Sequence, residues 1–225
     1  MFNSLGLDKS SLYTLIHSGS RGFGQLTFDK IAGKYNHSEG LNENSPESIS
    51  YLEDHNKAIN YATESRAIIA HRFLIAVGLN EELNLVSDTA HNSILKSEDG
   101  SWLHRKGATP TDKGSVMIAG SRGTLSYLVM PTENTKISNF SLSHGAGRKW
   151  ERSSAEAKLR NRYSKSDLER TSIGSRVICN DKKLLYEEAP QAYKNIDIVI
   201  NDLVESGLAT IIASFKPIIT YKESV

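Results

Sequence analysis

Apolar residues recur at helical spacing from about Ser48 to Val77, through Ile49, Leu52, Ala58, Tyr61, Ala62, Ile68, Ile69 and Phe73. That period predicts the best helix of the chain, entered from a polar loop at 42–50 that contains Pro46. Upstream, Ser11–Ile16 is a short β-leaning run. Residues 80–85 are short and polar. From Trp102 to Val129, short apolar runs (Val116-Met117-Ile118 and Tyr127-Leu128-Val129) alternate with Gly-rich turns, which predicts strands and tight turns. Residues 151–170 are charged with a helical tendency, and Val177-Ile178-Cys179 is strand-like. Pro190 to about Ser206 suits a second amphipathic helix, and Ile211–Tyr221 a final strand. No repeat or linker interrupts the pattern. The expected fold is α+β, a single compact domain over 1–225 with two main amphipathic helices.

Composition narrows the partners. A chain of 225 residues can bury a substantial core, and its net charge of +1 carries no global basic footprint, so any nucleic-acid contact must be a local patch. No apolar run approaches the ~18 residues that span a bilayer. The start, Met1-Phe2-Asn3-Ser4-Leu5-Gly6, lacks the charged and apolar regions of a secretory leader. The single cysteine, Cys179, excludes an intramolecular disulfide and fits a reducing cytoplasm.

Chemistry concentrates at Ser143-His144-Gly145-Ala146-Gly147-Arg148. A neutral imidazole is a competent nucleophile at physiological pH, and flanking glycines open the backbone to a phosphate. Arg148, Lys149 and Arg152 would compensate phosphate oxygens. Taken alone, the segment reads more readily as a Gly-rich turn with a solvated histidine and a basic helix start.

Further segments join it in order: Ile16-His17-Ser18-Gly19-Ser20-Arg21-Gly22, His91-Asn92, Arg105-Lys106-Gly107-Ala108-Thr109, Gly120-Ser121-Arg122-Gly123-Thr124-Leu125-Ser126-Tyr127, Glu188-Ala189-Pro190-Gln191-Ala192-Tyr193-Lys194, and Lys216-Pro217-Ile218-Ile219-Thr220-Tyr221-Lys222. From about residue 12 onward the series resembles the C-terminal two-thirds of the RtcB family. These are GTP- and manganese-dependent RNA ligases of RNA repair and tRNA splicing. They join RNA 3′-phosphate or 2′,3′-cyclic phosphate ends to 5′-hydroxyl ends.

The resemblance implies roles residue by residue. His17 and His91 would be ligands in a site that holds two Mn2+ ions when complete. His144 would attack the α-phosphorus of GTP, with Gly145, Ala146 and Gly147 beside the nucleotide. Ser121 and Ser126 would line the guanine pocket, Tyr193 stack on the base and Lys222 read its edge. Arg21, Asn92, Lys106, Arg148 and Arg152 would contact phosphates or the RNA ends. Each also has an ordinary reading: a surface histidine, a helix-face tyrosine at i, i+3 to Ile196, a terminal lysine, a turn-closing Lys106, or solvated charge. His37, His55, His71 and His104 match no ligand position.

Departures from the family pattern qualify the expectation. The family's N-terminal part, with an Asp and a bridging Cys of the metal centre and a Gly-Asn-His-Phe motif, has no counterpart in residues 1–16, and Cys179 does not match the ligand cysteine. Arg122 stands where a methionine is common, a new cation beside the nucleotide pocket, and Ser65-Arg66 replaces an Asn-Arg pair. Three readings follow: a truncated or split RNA ligase, a catalytically impaired nucleotide- and RNA-binding remnant, or a subunit completed by a separate polypeptide that supplies the missing lobe. A plain metal-dependent phosphoesterase would need His17 and His91 but neither His144 nor Lys222. Exposed apolar surface is expected near the N-terminal end.

Overall fold

The computed structural model describes residues 1–35, 40–79 and 82–223. Helices and strands are mixed, as expected of an α+β chain, and contacts group them into two compact units: Gly6–Lys106, and Gly107 to the C-terminus together with Met1–Leu5.

In the first unit, α1 (Gly22–Ala32) and α2 (Pro46–Ala76) pack together, and β1 (Asn92–Lys96) pairs antiparallel with β2 (Trp102–Lys106). The long helix starts where the pattern placed it. The Ser45 hydroxyl accepts the Ser48 N–H at 3.1 Å, and Pro46 occupies the first turn, where its missing N–H costs nothing. Ala58, Ala62 and Leu74 are buried, and Phe23 meets Tyr61 edge-on at 6.0 Å. His55 Nε2 accepts the Ile94 N–H at 3.1 Å, so this histidine ties the hairpin to the helix. Ser11–Ile16 carries no regular structure. Leu12, Leu15, Leu26 and Phe28 stay more than half exposed, the apolar surface expected near the N-terminal end, and so do Ile68 and Ile75 of α2.

The second unit is built on three pieces of sheet. β4 (Val116–Ile118), β5 (Ser126–Pro131) and β8 (Ala209–Phe215) form an antiparallel sheet in the order β4-β5-β8. β3 (Ala108–Pro110) pairs antiparallel with β6 (Ser141–Ser143), and β7 (Arg176–Cys179) pairs parallel with β9 (Ile219–Lys222). Val116, Ile118, Val129 and Leu142 meet Ile196, Ile200 and Leu203 of α6 (Ile196–Glu205) in one core. A second core joins Leu159 of α3 (Arg152–Arg160), Leu168 of α4 (Lys165–Leu168), Val177, Cys179 and Leu185 of α5 (Lys182–Glu187).

Two boundaries differ from the sequence expectation. The helix expected from Pro190 starts at Ile196, capped by Asn195. Pro190–Ala192 is one 3-10 turn and Tyr193 is extended, so Tyr193 is not a helix-face residue. The single strand expected over 211–221 is two strands, because Lys216-Pro217 interrupts it and proline has no N–H for a ladder.

Candidate functional site

His144 follows β6 directly and is held from behind by one carbonyl. Gly107 O accepts the backbone N–H of His144 at 3.3 Å and lies 2.7 Å from its Nδ1. A carbonyl only accepts, so Nδ1 carries the proton and Nε2 the lone pair. Gly107 sits at φ +66°, and a Cβ there would meet His144 Cε1 and Nδ1 at 3.2 Å. On the other side the loop is pinned to Ala119, whose N–H donates to His144 O at 3.1 Å and whose carbonyl accepts from Ala146 N–H at 3.0 Å. A Cβ on Gly145 would lie 2.5 Å from Ala119 O, so glycine is what lets these backbones meet. Ala146 belongs to the core. Gly147 O accepts the Lys194 N–H at 3.0 Å and Ala192 O the Lys149 N–H at 2.9 Å, which brings Tyr193 alongside the loop.

Ala119 leads into the serine turn. Ser126 Oγ accepts the Gly120 N–H at 3.0 Å, and Ser121 Oγ accepts the Gly123 N–H at 3.3 Å; both serines are buried. Arg122, expected to add a cation beside the pocket, turns inward. It is 5% exposed, donates from Nη2 to Leu185 O at 2.9 Å, and leaves Nε and Nη1 without acceptors. Burial lowers its pKa against the opposing pull of Cys179, Glu188 and Tyr193.

Tyr193, Lys222, Arg148 and Arg152 converge on Glu188, which is 7% exposed. Arg148 Nη1 and Arg152 Nε lie 3.1 and 3.6 Å from Oε1, Lys222 Nζ lies 3.5 Å from Oε2, and the Tyr193 hydroxyl donates to Oε2 in a short bond. Burial opposes ionisation of Glu188, but the Tyr193 hydroxyl, then Lys222, Arg148 and Arg152, outweigh it and hold the carboxyl below the usual range. Burial, then Glu188, push the Tyr193 phenol up. Arg148 is also committed to Glu187 O at 2.6 Å and Trp150 O at 3.1 Å, and its guanidinium lies 5.1 Å from the Tyr193 ring centre. Arg152, 68% exposed at its side chain, faces solvent.

The first unit holds its own pair. Nε2 of His17 and Nε2 of His91 lie 3.0 Å apart, from positions 74 residues distant in sequence. Two imidazole nitrogens converging this way suit a borderline divalent ion as part of a ligand set. Among the described residues no group of three His, Cys, Asp or Glu gathers to complete it. Asn92 follows His91 and lies directly across the β1–β2 ladder from Lys106. Arg21 precedes α1 at φ 54°, ψ −136°, a conformation an arginine rarely adopts. His71 and His104 are exposed and stand apart from the pair; His37 lies outside the described residues.

A family model for the tRNA-splicing ligase RtcB matches residues 1–223. The chain belongs to the RtcB family. It is similar to the RNA-splicing ligase RtcB2 of Escherichia coli, 44% identical over 227 positions that cover 100% of this chain and 59% of that protein. It is also similar to the tRNA-splicing ligase RtcB of Archaeoglobus fulgidus, 34% identical over 95% of this chain and 52% of the relative. The chain thus spans between half and three-fifths of these relatives' length.

Two residues of this RtcB chain escaped assignment from sequence. Glu188 was visible only as the first residue of a turn before Pro190, and its role rests on burial and four converging donors. Arg66, on α2, bonds Asp88 at 2.7 and 3.0 Å and Ser18 O at 3.1 Å, tying the loop that bears His17 to the one that leads into His91. Its only signal was its place in Ser65-Arg66, where the family pattern has an Asn-Arg pair. Among the described residues no helix is long and apolar enough to cross a membrane.

Proposed function

We propose that this chain carries the nucleotidyl-transfer part of an RNA ligase that joins RNA 3′-phosphate or 2′,3′-cyclic phosphate ends to 5′-hydroxyl ends through a guanylylated His144. The observation that carries the reading is the 2.7 Å contact from His144 Nδ1 to Gly107 O, which puts the nucleophilic lone pair on Nε2. In the first step Nε2 bonds to the α-phosphorus of GTP while the bond from that phosphorus to the bridging oxygen breaks and pyrophosphate leaves. Positive charge developing on the ring is shared through Nδ1–H with the Gly107 carbonyl. Ser121, Ser126, Tyr193 and Lys222 would take the guanine. The GMP then passes to an RNA 3′-phosphate, and a 5′-hydroxyl displaces it, forming the phosphodiester.

His17 and His91 would hold Mn2+, an ion that supplies Lewis acidity and neutralises phosphate charge when bound. Two nitrogens are a partial set. The absence of a third ligand among the described residues, with the exposed apolar side chains of the first unit, favours a second reading: a subunit whose metal centre is completed by a separate polypeptide, the impaired remnant being the case in which nothing completes it.

Incubation with α-labelled GTP and Mn2+, beside His144→Ala, tests both. Acid-labile label lost in the variant supports nucleotidyl transfer by the chain itself. Label that forms only on adding a separately made lobe homologous to the relatives' remaining length supports the subunit. No label in either arm overturns the ligase reading.

A further inference from the structure

Beyond Arg148, residues 149–162 form a basic strip that holds five basic and two acidic side chains, while the whole chain nets only +1, and of the five only Arg152 reaches Glu188. Glu156 is bound by Arg160 at 2.7 Å, which leaves Glu151 as the strip's one carboxylate outside an ion pair among the described residues.

At its centre is Trp150. Its indole packs against the second core, and its carbonyl is fixed by Arg148 Nε at 3.1 Å. Lys149 Nζ and Lys158 Nζ lie 4.8 and 4.6 Å from its ring centre, so the two ammonium groups are less than about 10 Å from each other. Neither has a carboxylate at ion-pair distance among the described residues. One aromatic ring thus holds two like charges near each other, and the missing counter-charge is left to a ligand. Lys149 is anchored through its N–H to Ala192 O, beside Tyr193 and five residues from His144.

We infer that Lys149, Trp150 and Lys158 bind the sugar–phosphate backbone of single-stranded RNA next to the end presented to His144. The ligand class rests on the ligase reading above. The lysines leave the indole for neighbouring phosphates, and the uncovered ring stacks on a base, the combination of cationic groove and aromatic platform that suits a flexible single strand.

The probe is an RNA of about ten nucleotides with a 3′-phosphate, followed by anisotropy from about 50 to 200 mM salt. Each phosphate contact contributes about 0.7 to the slope of log K against log salt for a single strand. Lys149→Gln/Lys158→Gln is expected to flatten the slope by about 1.4, while Lys113→Gln, in an exposed turn of the same unit, leaves it unchanged. In a Trp102→Phe background, RNA is expected to quench Trp150, the one remaining tryptophan. Trp150 also packs on a core, so the exposed lysines carry the test if Trp150→Leu misfolds. An unaltered slope in the double variant overturns the strip and leaves the ligase reading standing. So does a loss on polyglutamate without one on RNA, which points to an acidic protein instead. Absence of RNA binding by the unmodified chain also overturns it. The ligase reading fails separately, on absence of His144-dependent label.

Discussion

Gly107 and His144 are joined through one oxygen, which takes the backbone N–H at 3.3 Å and the ring Nδ1 at 2.7 Å. The glycine thereby fixes both the tautomer and the tilt of the imidazole, and it does so from φ +66° with a Cβ position 3.2 Å from the ring.

Gly107→Ala places a methyl group against that ring and forces alanine into a left-handed conformation. The backbone term costs about 1 kcal/mol, read as a lower urea midpoint. Displacing the nucleophile is expected to slow guanylylation by about 100-fold, with GTP affinity nearly unchanged. Equal loss of rate and affinity would mean that Gly107 shapes the pocket instead of aiming His144.

Glu188 should govern acid stability. Its carboxyl lies below the usual range in the folded chain, so the native state binds fewer protons than the unfolded one. The stabilisation is fully present above the unfolded value of about 4.3 and is lost as pH falls through the folded value. Glu188→Gln is expected to flatten that acid limb and to cost about 2 kcal/mol at pH 7, by removing the charge shared with Tyr193, Lys222 and Arg148. Urea midpoints at pH 7 and pH 4 check it; a limb as steep as the parent's would refute the assignment.

The long helix was legible because its apolar spacing persists for eight turns and a proline marks its start. α1 was not, since Gly22 and Gly24 in its first turn suppress any propensity signal and Leu26 and Phe28 point outward. The motifs named residues that the fold brings together: His17 meets His91 at 3.0 Å, and the loop after His144 is bonded through Gly147 and Lys149 to the segment that carries Tyr193. They said nothing of Glu188 or Arg66. A charge's role in holding others appears only once burial shows that it has no water to fall back on. Arg122 shows the converse: read as a cation facing a ligand, it is turned into the protein.

Arg122→Met should therefore stabilise the fold. The guanidinium makes one hydrogen bond, to Leu185 O, and buries two donor nitrogens without acceptors. Orphaned donors cost about 1–3 kcal/mol each, more than one bond returns, so a thioether of similar reach is expected to raise stability by about 1 kcal/mol. A lowered urea midpoint would show that attraction to Glu188 and Cys179 outweighs the desolvation.

Arg66 is predicted to act on metal binding without touching the metal. Its guanidinium spans Asp88 and the Ser18 carbonyl from a partly buried helix position, and the side chains of the pair are 14% and 22% accessible. Arg66→Ala leaves Asp88 partly buried without its cation and releases the loop after His17, which is expected to cost about 2 kcal/mol. With the His17 and His91 nitrogens no longer held at 3.0 Å, Mn2+ affinity, followed by the loss of the free-ion EPR signal, should fall about 10- to 100-fold. Arg66→Lys should recover part of the stability and little of the affinity, because one ammonium cannot hold Asp88 and Ser18 in a fixed fork. His17→Ala sets the floor for the affinity loss. An Arg66→Ala chain that is less stable but binds Mn2+ as the parent does would confine Arg66 to the fold.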